Sequence, residues 1–454
     1  MEVAVEVEEP GDDPPQKESG EHGSGYLRRA LRYGLRVYKL GTLLDRVRDG
    51  RVKPQIEMST IVRSVFLCGL LRIRSFNALE PQLAEPEMQR ALGLPGNGKA
   101  PCSVDTLSRA LRLTESDCLV QMVSGIVALA ERNKVFRSGW VGALRYAAID
   151  GWEPISSRRR HCAQCLERTL TENEEEVTEY YHRYVVALLL GEREEVVLDF
   201  EPMRNAAWRR QLGEGNVEGD EGEQTAAIRL LPRLRRNYGW IEVIVADALY
   251  ANGPFATALD QQSFCGIIIV KKDTDDPLRT ALRRWAGKPA EVREDEDARE
   301  RLHLWDCPQL SMTNYSGSVR VVRGVVEPLT ARPALLNRKR QWCMMAIGAA
   351  VQRLTPRQVL RVARGRWHLE NTGFNQWTQH WKFEHVFVND GKGITAIFAF
   401  FFLAFNLLQL FVYRQLGTYG RLRGKDPTRT ILRVVDCMLA DLHRLDQTLC
   451  WDST

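Results

Sequence analysis

The segment Ile394–Tyr413 (ITAIFAFFFLAFNLLQLFVY) runs for twenty residues without a formal charge. A helix apolar on every side must be enclosed on every side, by lipid or by the rest of a large folded domain. Thr395, Asn406 and Gln409 interrupt the run, and no second such segment occurs. Three polar side chains need partners that a domain interior supplies more readily than lipid does. The pattern therefore favours a buried central helix over a membrane anchor at 394–413. The chain has 454 residues, 44% hydrophobic and 27% charged, which is the length of roughly two to four soluble globular domains.

A net charge of +5 does not by itself demand a nucleic-acid partner, but the charges are unevenly placed. Residues 1–25 are rich in acidic residues, Gly and Pro with a single Lys, and are expected to be a disordered tail. From Tyr26 to Arg74 the chain then carries Arg28, Arg29, Arg32, Arg36, Lys39, Arg46, Arg48, Arg51, Lys53, Arg63, Arg72 and Arg74. Such clustering suits a phosphate-binding surface, and equally a set of solvated helix faces. The ten cysteines are mostly single and in apolar contexts, as reduced intracellular thiols are. The N-terminus has no basic region followed by an apolar core, so a cytoplasmic, nucleoid-associated location is expected.

Apolar spacings of three and four predict helices over much of 26–92. Ser103 is placed to cap a helix starting at Val104, with Thr106, Arg109 and Arg112 on one side and Val104, Leu107 and Leu111 on the other. This resembles the recognition helix of a helix-turn-helix, and a plain amphipathic helix has the same pattern. Further on, Leu144–Ile149 reads as a strand. Tyr184–Leu190 and Val196–Phe200 read as a hairpin about residues 191–194. Gln224–Asn237 reads as a helix, Ile241–Ala246 as a strand, Pro254–Gln261 as a helix and Cys265–Val270 as a strand. Three meander strands followed by alternating helices and strands imply a mixed α/β sheet with helices on its faces. Residues 301–305, 319–322 and 324–326 look like strands of a β-rich insertion, and Thr355-Pro356 opens a further helix.

Three acidic residues punctuate this pattern. Asp150 ends Ala-Ala-Ile, Asp247 ends Ile-Val-Ala, and Glu370 lies in Arg366-Trp-His-Leu-Glu-Asn. Two carboxylates just past buried strands, with a third on a later helix, can hold two divalent metals. Such a pair activates a water or a 3′-hydroxyl and stabilises the leaving oxygen of a phosphodiester. Asp-Gly after Ala-Ile, Asp in Val-Ala-Asp-Ala-Leu-Tyr, and this Glu together resemble the acidic motifs of DDE transposases of bacterial insertion sequences. The likeness is to the group with a β-rich insertion between the second Asp and the Glu, over roughly 140–410. It implies an RNase H-like catalytic domain, endonuclease and strand-transferase chemistry, two Mg²⁺ or Mn²⁺ ions, double-stranded DNA as substrate, and a homodimer on paired DNA ends. That group's Y-x2-R-x3-E-x6-K signature keeps Arg366 and Glu370 here, while Ala363 stands at the Tyr position and Trp377 at the Lys position. Trp377 is then either a platform for a DNA base or a core residue. A transposase that has lost catalysis and only binds DNA is the alternative reading.

The resemblance and the charge pattern divide the chain into six parts: a tail (1–25), a helical DNA-end-binding domain (26–137), the first part of the RNase H-like core (138–272), the β-rich insertion (273–350), the Glu-bearing and apolar helices (351–415) and a helical tail (416–454). Arg109, Arg112, Arg158, Arg159, Arg160, Arg366 and Trp377 are candidate DNA contacts. His385 and Asp390 are candidates to support the site from behind. Cys162-x2-Cys165 has the knuckle spacing of a zinc site. It needs a second pair of ligands: His303 and Cys307 have workable spacing, and His161 and His182 are other candidates.

Overall fold

The computed structural model describes residues 25–137, 139–172, 174–191, 195–215, 217–271, 276–295, 298–329, 340–367, 369–416 and 427–452. The expected disordered tail lies outside the described residues apart from Gly25. Among the described residues ten strands form one mixed sheet: β1 Tyr146–Ser157, β2 Leu166–Glu172, β3 Glu175–Leu190, β4 Val197–Pro202, β5 Val243–Ala246, β6 Cys265–Val270, β7 Glu291–Asp295, β8 Glu300–Met312, β9 Tyr315–Pro328 and β10 Arg340–Ile347.

The centre of the sheet has the order β4-β3-β1-β5-β6. β1, β3 and β4 pair antiparallel, and β5 and β6 join parallel to β1. Helix Glu223–Asn237 crosses from β4 to β5, and helix Gly253–Gln261 from β5 to β6. This is the RNase H-like order expected from the sequence. The parallel strands are apolar throughout, Val-Ile-Val-Ala in β5 and Gly-Ile-Ile-Ile-Val after Cys265 in β6, because helices cover both faces there.

Two features differ from the sequence reading. β1 does not stop at Ile149. It continues to Ser157, because residues 150–157 pair with residues 180–186 of β3, across a register shift between Trp152 and Ile155. Asp150 therefore lies inside a strand. The polar stretch Leu166–Glu172 is also a strand, paired along the first half of β3. Its alternation of exposed and half-buried residues belongs to a two-stranded ribbon that leaves the core, where apolar patterning is not required. On the other side, β10 pairs with β6, and β9, β8 and β7 follow, so the β-rich segment continues the central sheet.

The charge-free segment forms helix Gly391–Leu410, and every residue from Gly393 to Leu410 is buried. Helices Met58–Leu70, Val104–Arg112 and Ser116–Arg132 pack around it, with β4 on another side. No face of it is open to lipid. Its polar residues have specific addresses. Asn406 accepts from Val197 N–H and donates to Val197 C=O, both at 2.8 Å, so the carboxamide acts as an extra rung on the edge of β4. Thr395 donates to Gly391 C=O at 2.8 Å and meets the Tyr184 hydroxyl at 3.2 Å. The Gln409 carbonyl oxygen has no hydrogen-bond partner among the described residues.

Candidate active site

Asp150 and Asp247 come together through strand register. β1 and β5 pair in parallel with Tyr146 beside Val243, Ala147 beside Ile244 and Ala148 beside Val245. The same offset, carried two residues further, sets Asp150 beside Asp247. Neighbouring strands lie about 4.8 Å apart, and residues level with each other point to the same face. Asp247 is still extended (φ −85°, ψ −176°) and turns the chain by accepting from Leu249 N–H at 2.8 Å.

Glu370 reaches this face from a helical segment built on aromatic packing. Helix Pro356–Gly365 opens with a capping box between Thr355 and Gln358. A π-helical turn then runs over Leu369–Phe374, and a short helix over Asn375–Gln379. Trp152, two residues beyond Asp150 on the same side of β1, stacks on Phe374 (6.1 Å between centroids, 14°) and meets Trp377 edge-on at 5.2 Å. Phe383, Phe398 and Phe402 complete the cluster. The Glu370 turn is thereby fixed against the strand that carries Asp150.

Arg366 joins the two. Its guanidinium donates to Asp150 Oδ2 at 2.5 Å and to Glu370 Oε1 at 2.6 Å, with the side chain 5% exposed. Lys271 Nζ stands 3.8 Å from Asp247 Oδ2. A fourth carboxylate, missed in the sequence, lies alongside. Glu223 is buried at the first turn of its helix, accepts from the Tyr250 hydroxyl at 2.8 Å and pairs with Arg183 at 2.6 Å. A Cβ on Gly151 would fall 1.9 Å from Glu223 Oε2, so only glycine after Asp150 leaves room for that carboxylate. The Asp-Gly pair was the one local signal for it.

Negative charge is in excess here. Burial pushes the Asp150 carboxyl up to about 6. Arg366 pulls it down, while Asp247, Glu223 and Glu370 push it further up. The donors are hard carboxylate oxygens in surplus over nearby cations, a set that fits Mg²⁺ or Mn²⁺ and not a soft metal. The three motif acids do not crowd about one point. Among the described residues, the one trio of potential ligands with all donor atoms within 4.8 Å is Cys162, Cys165 and His182.

Residues 216–407 match the family described as Transposase DDE domain. Over those residues the chain is similar to a transposase DDE domain. The matched stretch includes Asp247 and Glu370, and Asp150 joins them from outside it through the register of β1. No curated protein sequence matches the chain. Among solved structures, the chain is similar to a piggyBac transposase in a cryo-EM synaptic complex with hairpin DNA. The TM-score is 0.41 at 9% identity, over 91% of this chain and 82% of that one.

Around the three acids the other candidate residues separate clearly. Arg366 is not a DNA contact: it is buried, and its guanidinium is taken up by Asp150 and Glu370. Trp377 is not a stacking platform. It is fully buried among Trp152, Phe374, Phe383, Phe402 and Phe405, because a large apolar ring on the inner face of a helix packs into the core. Arg109 and Arg112 are exposed on helix Val104–Arg112, which Ser103 caps as expected while Leu107, Ala110 and Leu111 face inward. Arg158, Arg159 and Arg160 are exposed in the connection from β1 to β2, Arg158 being paired with Glu172. Asp390 is the N-cap of the apolar helix, accepting from Gly393 N–H at 2.9 Å, and His385 packs edge-on against Phe387.

His303 and Cys307 do not join Cys162 and Cys165. Both sit on β8, on the far side of the sheet order from β2. His303 is 3.2 Å from Glu327 on β9, and Cys307 is buried, with an Arg284 N–H 3.8 Å from its sulfur. The residue that does meet the cysteine pair is His182 on β3.

Proposed function

We propose that this protein is a DNA transposase that cleaves and joins phosphodiester bonds at the ends of an insertion sequence. Asp150, Asp247 and Glu370 would hold two Mg²⁺ or Mn²⁺ ions. The observation that carries this reading is the level placement of Asp150, on β1, with Asp247, the residue that follows the adjacent parallel strand β5, and of Glu370 tied to Asp150 through Arg366. When bound, such ions supply a deprotonated water or 3′-hydroxyl and stabilise the leaving oxygen. The chain's own residues do the positioning. Asp150 accepts from Gly151 N–H through Oδ1 and from Arg366 through Oδ2, which fixes its carboxylate. Arg366 holds Asp150 and Glu370 at a fixed separation. Trp152 and Trp377 keep the Glu370 turn from drifting off β1. Exposed Arg109, Arg112, Arg159 and Arg160 are available to DNA phosphates, and paired DNA ends call for a homodimer.

The test is nicking of a supercoiled plasmid carrying the DNA that flanks this gene, in Mg²⁺ or Mn²⁺, by the native chain and by Asp150→Ala, Asp247→Ala and Glu370→Ala. Metal-dependent nicking by the native chain, lost in all three variants, is expected. DNA binding by the native chain without nicking in either metal would replace this reading with that of a DNA-binding protein descended from a transposase.

A further inference from the structure

The connection from β1 to β2 brings together a second set of ligands with a chemistry unlike the carboxylate site. Cys162 Sγ and Cys165 Sγ lie 3.7 Å apart, and each is 3.4 Å from Nε2 of His182. Two thiolates at about 2.3 Å and an imidazole at about 2.0 Å from one tetrahedral zinc would stand about 3.8 Å and about 3.5 Å from each other. The three atoms thus already span the edges of a zinc tetrahedron. We infer that Cys162, Cys165 and His182 form a zinc site.

The backbone around the pair is shaped for charged sulfur. Gln164 N–H points at Cys162 Sγ (3.4 Å), and Cys162 N–H at Cys165 Sγ (3.2 Å). Amide donors of this kind stabilise thiolate ligands. The knuckle is also held from outside. The Asn205 side-chain amide donates to the carbonyls of Ala163 and Cys165, both at 2.9 Å. Cys165 and His182 are buried and Cys162 is half-buried. Soft sulfur and imidazole donors select zinc, and they reject the Mg²⁺ that the carboxylates of the active site favour.

The ion would clamp the knuckle to β3 beside Leu166 and Tyr181, the pair that opens the β2–β3 ladder. The knuckle precedes β2, while His182 lies on β3 opposite Ile155 of β1, just past the register shift. The basic run Arg158-Arg159-Arg160 leads directly into the knuckle. On its other side, Gln164 packs against the start of the apolar helix, where a Cβ on Gly391 would come within 2.4 Å of Gln164 Oε1. Zinc here fixes the arginine loop relative to the active-site strand.

This site stands apart from the transposase reading and is tested without any DNA. The full chain, purified under reductant and without added metal, is analysed by elemental mass spectrometry. One zinc per chain is expected, retained in Asp150→Ala and absent from Cys162→Ser and His182→Asn. Cobalt replacement should give a tetrahedral visible spectrum with thiolate charge-transfer intensity. Should a variant fail to fold, alkylation of the native chain decides: Cys162 and Cys165 should resist N-ethylmaleimide until a chelator is added, while exposed Cys450 reacts throughout. Zinc-free native protein, a Cys162–Cys165 disulfide in place of metal, or free alkylation of both thiols without chelator would each overturn the assignment.

Discussion

Asp150→Asn should make the protein more stable at neutral pH while removing the proposed chemistry. The carboxyl is mostly buried, with a side chain 15% exposed, and burial and its acidic neighbours hold it at about 6 even with Arg366 attached. In the unfolded chain an aspartate titrates near 3.9. The folded pKa is raised, so the protonated group contributes stability that is fully present below the unfolded value and lost as pH rises through about 6. The shift of about two units corresponds to about 3 kcal/mol of penalty for the ionised form at about pH 8, and about half of that at about pH 5. An asparagine carries no such penalty. Equilibrium urea unfolding, followed by tryptophan fluorescence, should therefore find Asp150→Asn more stable than the native chain by about 2–3 kcal/mol at about pH 8, the gap narrowing to about 1–2 kcal/mol at about pH 5. Mg²⁺ should raise the unfolding midpoint of the native chain and leave the variant unmoved. A variant no more stable than the native chain at about pH 8, or a gap that stays constant with pH, would refute the argument that the site is an over-charged cluster assembled for cations.

Two further substitutions test the packing that positions the site. Asn406→Leu removes the two hydrogen bonds to Val197 and leaves a buried N–H and C=O unpaired on the edge of β4. A loss of about 2–5 kcal/mol is expected in the same unfolding assay. An unchanged midpoint would show that the carboxamide contributes nothing there. Trp377→Ala should cost about 3–5 kcal/mol through the cavity it opens under the Glu370 turn, with DNA affinity of the folded variant retained. Weakened DNA binding with full stability would return Trp377 to the role of a base platform.

What the sequence made legible follows from which forces act locally. β6 was readable to the residue and β5 nearly so, because a parallel strand covered on both faces is a bare apolar run closed by polar residues. Ser103 and Thr355 marked their helices because capping is a matter of a few neighbouring atoms. The continuation of β1 past Asp150 was hidden, since its pairing segment Tyr180–Val186 lies well beyond any local window and the outer ribbon has no apolar stripe. For the same reason the sequence could propose Asp150, Asp247 and Glu370 together but could not set Arg366 between them, nor bring Glu223 to Gly151. The cysteine pair shows the limit most directly. Spacing along the chain admits His303 and Cys307 as partners as readily as His182, and it takes the register of β3 against β1 to choose. The acids share this dependence: a common offset between β1 and β5 turns two residues 97 positions apart into neighbours. A change that slips β1 by one residue would send Asp150 to the opposite face and should abolish the site while leaving every acidic residue in place.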